Sequence, residues 1–168
     1  MSHLDRIWNG WRNDYVVGAG ERPVAGAGSL FTQVLQSGLS DDETYIVHRG
    51  ALTFALLNAF PYTPGHLMVL PFREVGNLED LDAAEHTELW ATVTQAVRAV
   101  KVAYSPGGVN VGVNIGQAAG GSVSEHLHVH VVPRWSGDSN FMTAIAEART
   151  LPEALSQTAT KLRAAWPT

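Results

Sequence analysis

A stretch of alternating histidines constrains the fold more than any other feature of the sequence. Residues 125–135 read EHLHVHVVPRW, so every second residue from 126 to 130 is a histidine and the residues between them are aliphatic. Side chains of a β-strand point alternately to opposite faces of the sheet. The spacing therefore predicts a strand from Glu125 to Trp135 with one apolar face and one histidine face. Because the apolar face must be buried, we expect this strand to lie inside a sheet that other elements cover.

The spacing of the histidines on this face favours a catalytic role over shared coordination of a single metal ion. Same-face neighbours on a strand are about 6.6 Å apart, so the rings of His126 and His130 would lie roughly 13 Å from each other. One ion with ligands at about 2.1 Å would not collect all three rings. We therefore favour a middle histidine, His128, that acts as a nucleophile between two residues that orient it. A polar strand face in solvent and a two-histidine metal site are the alternatives.

Composition limits the classes of function. The chain of 168 residues suits one domain with its own core. No apolar run reaches the roughly 20 residues of a membrane span and no signal-peptide pattern opens the sequence, so we expect a cytoplasmic protein without a membrane partner. The chain has no cysteine, which excludes disulfides and thiolate catalysis. A net charge of -5 argues against long nucleic acids but leaves room for a small phosphorylated ligand.

The rest of the sequence predicts an α+β fold, in which one long helix and terminal helices pack on an antiparallel sheet of about five strands. Ser29 is expected to cap a short helix that ends near Gly38. Asp82 and Glu85 have the spacing of a capping box, and an apolar helical pattern follows them to Tyr104. The other predicted strands are 45–48, 52–58, 66–72 and 109–115, and the predicted C-terminal helix is 151–166.

Two segments are predicted along the chain. Residues 1–28 contain a helical pattern from Leu4 to Val17 followed by a glycine-rich linker, and residues 29–168 are expected to form the single catalytic domain. Trp8 and Trp11 lie within the helical pattern. They favour an appendage that packs on the domain or on a second subunit over a frayed tail.

A glycine-rich loop before the histidines predicts an anion site. The loop 116–122, GQAAGGS, follows Asn114, and its small residues would let backbone N–H groups converge on an anion, with help from Asn114 or Ser122. The alternative is a hairpin loop without a ligand. The loop lacks the Lys-Ser or Lys-Thr of a Walker A motif, and no GxGxxG follows a strand. Kinase, ATPase and dinucleotide dehydrogenase classes therefore lose their main support.

Three further polar residues each have a functional and a structural interpretation. His66 opens a strand after a Pro-Gly turn, and it either approaches the histidine cluster or is structural. Asn58 ends a strand, where its amide either holds a pair of hydroxyl groups or closes the turn. Glu125 is either an acid or a solvated strand end. The remaining histidines are assigned to the surface or to packing: His3, His48 and His86.

Together these residues resemble the histidine triad (HIT) family, whose signature is His-φ-His-φ-His-φ-φ with φ hydrophobic. HLHVHVV, residues 126–132, fits at every position. Residues 54–73 resemble the nucleoside-binding strands and the Pro-Gly-His turn of the family, and NIGQAAGGS resembles its phosphate loop. The resemblance covers the chain from about Tyr45 to Phe141 and, less specifically, both of its ends. RIWNGWRNDYV and GGSVSEHLHVHVVPRW are most similar to the actinobacterial diadenosine tetraphosphate phosphorylase branch of the family.

The resemblance implies a mechanism and a role for each candidate residue. His128 would attack an α-phosphorus of a dinucleoside polyphosphate to give a nucleotidyl-imidazole intermediate, and inorganic phosphate would then resolve it. The family fold is an antiparallel sheet with flanking helices, usually in a homodimer. The other implied roles are orientation and phosphate contact by His126, His130 and His66, ribose binding by Asn58, base contact by Leu56, phosphate binding by Asn114, Gly121 and Ser122, and assistance to the leaving group by Glu125.

The sequence departs from the family pattern at two places. Ser122 stands where many members have a glutamine, and the N-terminal cysteines that bind zinc in several relatives are absent. We expect no tightly bound cofactor, and any Mg2+ would arrive with the substrate phosphates. Three alternatives stay open: a HIT hydrolase of dinucleoside polyphosphates or nucleoside phosphoramidates, a non-catalytic nucleotide-binding protein, and a metal-dependent β-protein that uses two of the histidines.

Overall fold

The computed structural model describes residues 28–119, 123–138 and 153–167, which form an α+β fold around one antiparallel sheet. Three predictions lie outside these residues: the helix of residues 4–17 with the linker as far as residue 27, the loop residues Gly121 and Ser122, and the first residues of the predicted C-terminal helix. In the described ranges, no helix combines the length and the apolar character that crossing a membrane requires.

The sheet of the described residues has five strands: β1 (Ile46–Arg49), β2 (Thr53–Leu57), β3 (Leu67–Pro71), β4 (Gly108–Val113) and β5 (Val129–Arg134). They pair in the order β1, β2, β3, β5, β4, and every pair is antiparallel. All five strands were predicted, with ends that differ by one or two residues except at the start of β5. The strand that carries His130 lies between β3 and β4, so the predicted interior position is correct.

The described residues also form four α-helices: α1 (Leu30–Gln36), α2 (Asp41–Thr44), α3 (Ala83–Tyr104) and α4 (Leu155–Ala165). Ser29 caps α1 by accepting the N–H of Thr32, as predicted. The predicted capping box of Asp82 and Glu85 is present at the start of α3. Both local signals therefore place their helices correctly.

Two helix predictions need correction. The sequence interpretation omitted α2, although Ser40 and Glu43 form a capping box at its start. The C-terminal helix begins at Leu155, and Glu153 and Ala154 precede it instead of belonging to it. The carboxylate of Glu153 accepts the hydroxyl of Tyr104 at 2.9 Å, so this residue ties the start of α4 to the end of α3.

One face of the sheet packs against α3 and α4 and forms the main core. Along α3, apolar residues recur at helical spacing, and these residues are buried: Leu89, Val93, Ala96, Ala99 and Val100. They pack on the aliphatic residues of the central strands, among them Val69, Val129 and Val131, none of which is exposed. This packing explains why the apolar side of the histidine stretch is buried.

The opposite face of the sheet, called the histidine face below, has a smaller apolar cluster. Leu56 of β2 and Met68 of β3 belong to it, together with Phe31 of α1. Met68 pairs directly with His130 across the β3 and β5 ladder, so the two side chains share this face. The short helix α1 therefore packs on the same side of the sheet as the histidines.

Candidate active site

The segment that carries the first two histidines is not part of β5. The strand begins at Val129, so the predicted start at Glu125 is wrong. The register of β3 and β5 would place Pro71 opposite Leu127, and proline has no N–H to donate to the ladder. Pairing between the two strands therefore stops at Val129. Leu127 instead donates its N–H to the carbonyl oxygen of Val75 at 2.6 Å.

The alternation of faces continues through this segment although the strand does not. Leu127 is buried in the main core. The rings of His126 and His128 lie against Phe31 on the histidine face, with ring centroids 5.6 and 5.3 Å from it. The ring of His130 is 5.0 Å from that of His128. All three imidazoles therefore lie on one side of the sheet.

His126 is fully buried and is held at both ring nitrogens. Its Nε2 lies 2.9 Å from the carbonyl oxygen of Pro71, and since a carbonyl oxygen only accepts, Nε2 carries the hydrogen. Its Nδ1 therefore accepts the hydroxyl hydrogen of Ser29 at 2.8 Å. Burial lowers the pKa of His126 below its ordinary value, which favours this neutral ring at pH 7.

The ring of His128 has one nitrogen engaged by the backbone. Its Nδ1 lies 2.8 Å from the carbonyl oxygen of His126, so Nδ1 is the donor. In the neutral ring, Nε2 then has a lone pair and no hydrogen. This is the tautomer that a nucleophilic imidazole requires. The same carbonyl oxygen would stabilise the positive charge that develops on the ring when Nε2 forms a bond.

His66 lies in the cluster, immediately before β3. Its Nε2 is 3.0 Å from Nδ1 of His130. The N–H of Tyr62 donates to Nδ1 of His66 at 3.0 Å, so Nε2 of His66 carries the hydrogen and donates to His130. Burial, and secondarily the neighbouring His128, lower the pKa of His130 to about 4. His130 is therefore neutral at pH 7, with its own hydrogen on Nε2.

Asn58 lies next to this cluster, and Leu56, the other residue predicted to bind the nucleoside, pairs with Met68 on the same face of the sheet. The backbone N–H of Asn58 donates to the carbonyl oxygen of His66 at 3.1 Å, and its side-chain nitrogen is 3.4 Å from the His66 ring. Its Oδ1 accepts the N–H of Phe60 at 2.9 Å, which closes the turn after β2. Leu56 is 3% exposed within the apolar cluster of the histidine face.

The other described candidates lie at the ends of their elements. Asn114 is half-buried directly after β4, and the register of β4 with β5, continued by one residue, places it opposite His128. Glu125 is exposed in the turn that precedes His126. The structure thus brings four histidines and Asn58 together. The strand register places Asn114 opposite one of these histidines, His128, whereas Glu125 lies at the surface.

Sequence reasoning missed two residues of the cluster. It predicts Ser29 only as a helix cap, whereas the hydroxyl bonds His126, which is 97 positions away in the chain. Tyr62 is 49% exposed, and its ring centroid is 4.6 Å from that of His66 and 6.2 Å from that of His130. The PYTPGH turn was a signal for Tyr62, because a tight turn brings its residues close to the histidine that follows. No local signal identified the partner of Ser29.

The ring nitrogens of the histidines are largely engaged by protein groups, which bears on how they could bind a metal ion. Within residues 28–119, 123–138 and 153–167, no group of three or more His, Cys, Asp or Glu side chains is placed to hold a metal ion. Both ring nitrogens of His126 and of His66 bond protein groups, and so does Nδ1 of His128. The arrangement suits nucleophilic attack by Nε2 of His128 better than shared coordination of an ion.

Comparison with known proteins places these features in a wider context. The model of the HIT domain family matches residues 40–137. The chain is 46% identical over 170 residues to the AP-4-A phosphorylase of Mycobacterium tuberculosis, and the match covers 97% of this chain and 85% of that one. It is 36% identical over 93 residues to the asymmetrical bis(5'-nucleosyl)-tetraphosphatase of Schizosaccharomyces pombe, covering 55% of this chain and 50% of that one.

Solved structures have the same fold. A HIT-like protein of Bartonella henselae has a TM-score of 0.68 at 28% identity, covering 82% of this chain and 95% of that chain. A zinc-bound histidine triad family protein of Mycobacterium smegmatis has a TM-score of 0.67 at 26% identity, covering 82% of this chain and 91% of that chain. The antiparallel α+β architecture of this chain is therefore the fold of solved HIT-like and histidine triad proteins.

Proposed function

This chain belongs to the HIT family, and from that membership we propose that it is a nucleotidyltransferase that cleaves dinucleoside polyphosphates by phosphorolysis. The observation that carries the proposal is the 2.8 Å distance between Nδ1 of His128 and the His126 carbonyl oxygen, because a donor at Nδ1 leaves the lone pair of the neutral ring on Nε2. The similarity to an AP-4-A phosphorylase over 97% of this chain supports the choice of substrate.

The first step of the proposed reaction transfers a nucleotidyl group to His128. Nε2 attacks the α-phosphorus of one nucleotide, a P–N bond forms, and the bond from that phosphorus to the bridging oxygen breaks. With diadenosine tetraphosphate the leaving group is ATP, and adenylate stays on the ring. The Nε2–H of His130 is a donor for a phosphoryl oxygen, because its Nδ1 accepts from His66.

The second step releases the nucleotide from His128. An oxygen of inorganic phosphate attacks the phosphorus, the P–N bond breaks, and ADP leaves the neutral ring. Water in place of phosphate would give AMP, which is the reaction of a hydrolase. Dividing the transfer into two displacements lets one pocket expel ATP before it admits the second acceptor. The similarity to an asymmetrical tetraphosphatase over 93 residues makes hydrolysis the second candidate.

The remaining residues are proposed to hold the nucleotide. Asn58 would bind the ribose hydroxyls with its side-chain amide, Leu56 would contact the base, and Asn114 with the loop residues Gly121 and Ser122 would bind phosphate. Position supports the first of these roles, because the side-chain nitrogen of Asn58 is 3.4 Å from the His66 ring. Glu125 would assist the leaving group from its exposed position. Mg2+ enters the scheme with the polyphosphate instead of as a resident ion.

We further propose that the protein works as a homodimer in the cytoplasm, where nucleotides and phosphate are both supplied. The support for the dimer is β4, which lies at one end of the strand order and has a single neighbour among the described strands. Val111 within it is 43% exposed, and Ile115 just after it is 40% exposed. An exposed apolar edge strand is a ready template for pairing with a second chain.

The test is product analysis with diadenosine tetraphosphate, with and without inorganic phosphate. ADP and ATP that form only when phosphate is present support phosphorolysis, whereas AMP and ATP in either condition support hydrolysis. The His128→Ala protein is the control, and we expect it to bind nucleotide but to form no product. If the wild-type protein binds nucleotide and forms neither product nor a trapped nucleotidyl adduct, it is a non-catalytic binding protein.

A further inference from the structure

Ser29 connects helix α1 to the first histidine of the cluster. Its side chain is buried, with 1% exposed, and its Oγ lies 2.8 Å from Nδ1 of His126. The same oxygen accepts the N–H of Thr32 at 3.2 Å as the cap of α1. Because Nε2 of His126 donates to the Pro71 carbonyl oxygen at 2.9 Å, the hydroxyl of Ser29 is the donor to Nδ1.

Glu74 fixes this helix start from the other side. Its Oε2 accepts the backbone N–H of Ser29 at 2.7 Å and the hydroxyl of Thr32 at 2.5 Å. These bonds, the one from Thr32 first, lower the pKa of Glu74, so it is ionised at neutral pH. The Thr32 hydroxyl oxygen is also 3.2 Å from Ser29 Oγ. Ser29 has one hydroxyl hydrogen, and it is assigned to the shorter bond, in which Ser29 donates to Nδ1 of His126 at 2.8 Å. Glu74, Ser29 and Thr32 thus form one connected polar clamp at the start of α1.

The location of this clamp matters because the histidine segment lacks strand pairing. Residues 126–128 precede β5, and Pro71 ends the ladder that would otherwise hold them. Their described backbone anchor is the bond from Leu127 N–H to the Val75 carbonyl oxygen. His128 in turn depends on the carbonyl oxygen of His126 for its tautomer. A displacement of His126 would therefore move the carbonyl oxygen that holds Nδ1 of His128, and with it the ring of the proposed nucleophile.

We propose that Ser29 is a positioning residue of the reaction, which holds the His126 ring and, through the His126 carbonyl oxygen, the ring of His128. Glu74 acts one step further out by fixing the start of α1. This inference rests on the proposed function, because its readout is formation of the nucleotidyl adduct on His128. Loss of the Ser29 hydroxyl leaves Nδ1 of His126 buried without a donor, an arrangement that costs free energy unless the ring moves.

The experiment compares Ser29→Ala with Ser29→Thr and with Ser40→Ala in the full-length protein. Ser40 is the matched control, because it also caps a short helix, α2, and its hydroxyl bonds Glu43, whereas that of Ser29 bonds His126. Adduct formation is followed in a single turnover with diadenosine tetraphosphate, and steady-state kcat and KM are measured alongside. We expect Ser29→Ala to form the adduct about tenfold more slowly with KM changed less than about twofold, which is the effect of losing one hydrogen bond. Ser29→Thr keeps a hydroxyl and is expected to recover most of the rate.

Each outcome decides the proposal. A folded Ser29→Ala protein that forms the adduct as fast as Ser40→Ala overturns it. If Ser29→Ala does not fold, Glu74→Ala is tested instead, because Glu74 is exposed. Its loss should slow adduct formation about threefold with KM unchanged. An unchanged rate of adduct formation in Glu74→Ala overturns the proposal. The wild-type protein separates this inference from the proposed function. If the wild-type protein forms no adduct, both fall, whereas a wild-type adduct with no effect of Ser29 removes only the positioning role.

Discussion

Nε2 of His66 lies 3.0 Å from Nδ1 of His130, so a histidine immediately before β3 and one within β5 share a hydrogen bond on the histidine face. The ladder brings them together, because Met68 pairs with His130 and the side chain of His66, two positions earlier, has the same orientation. The N–H of Tyr62 sets the direction of the bond. It leaves Nε2–H of His130 as the donor that the proposed reaction directs at a phosphoryl oxygen.

The first prediction concerns this pair. We expect His66→Ala to slow adduct formation about tenfold, because Nδ1 of His130 loses its donor and the tautomer of His130 is no longer fixed. The measurement is the single-turnover rate with diadenosine tetraphosphate. His86→Ala is the control, since His86 is exposed on α3 and its ring contacts Trp90 instead of the cluster. Equal rates for the two variants would contradict the role given to His66.

The second prediction concerns acid stability and follows from the pKa of His130. Burial and the neighbouring His128 lower this pKa from an ordinary 6.5 to about 4. A group with a lower pKa in the folded than in the unfolded state contributes fully above the unfolded value, and its contribution is lost as the pH falls toward the folded value. We therefore expect the free energy of unfolding to decrease between about pH 6.5 and pH 4, measured by urea denaturation at several pH values.

The matched variant for this measurement is His130→Gln, which has no proton to gain in the same window. As the pH is lowered, its free energy of unfolding should decrease less steeply than that of the wild-type protein. The two slopes should differ by at most the equivalent of about one proton bound on unfolding. His126 is present in both proteins, and burial lowers its pKa as well, so part of the decrease should persist in the variant. Parallel curves for the two proteins would show that His130 does not titrate as described.

The third prediction concerns Gly65 in the turn before His66. Its φ of +81° lies in the left-handed region, and an added Cβ would be 2.9 Å from Tyr104 Cε2 and 3.1 Å from Pro133 Cγ. We expect Gly65→Ala to lower the free energy of unfolding by about 1 to 3 kcal/mol. Gly107→Ala is the control, because its Cβ would be 3.6 Å from the Arg134 carbonyl oxygen, which is an ordinary van der Waals contact. Similar stability of the two variants, measured by urea denaturation, would refute the steric argument.

The sequence predicted the strands of the sheet and the common face of the three histidines, because both follow from residue patterns that repeat along a short segment of the chain. Aliphatic residues at every second position mark a buried strand face whatever lies around it, and Leu127 and Val129 are buried accordingly. The start of β5 was predicted wrongly for a non-local reason. The ladder ends where Pro71 falls opposite Leu127, and only the register of two strands more than fifty residues apart reveals that pairing.

The same division between local and non-local information holds within the candidate site. Ser29 and Asp82 were predicted as caps, because a capping residue acts within three positions of itself. The second partner of the Ser29 hydroxyl, His126, is 97 positions away and depends on how α1 packs on the sheet. The capping box of Ser40 and Glu43 was readable from spacing but marks a helix of only four residues, too short to have an apolar periodicity.

The last prediction tests the proposed dimer at the exposed edge of β4. A lysine at position 111 would place a charge on the edge that two chains are proposed to share, and charged residues on an edge strand oppose pairing. We expect Val111→Lys to shift the protein from dimer to monomer, measured by light scattering coupled to gel filtration. Val102→Lys is the control, since Val102 is 72% exposed and belongs to α3 instead of β4. If both variants are dimeric at the same protein concentration, β4 is excluded as the interface. If the wild-type protein is monomeric, the dimer itself is excluded.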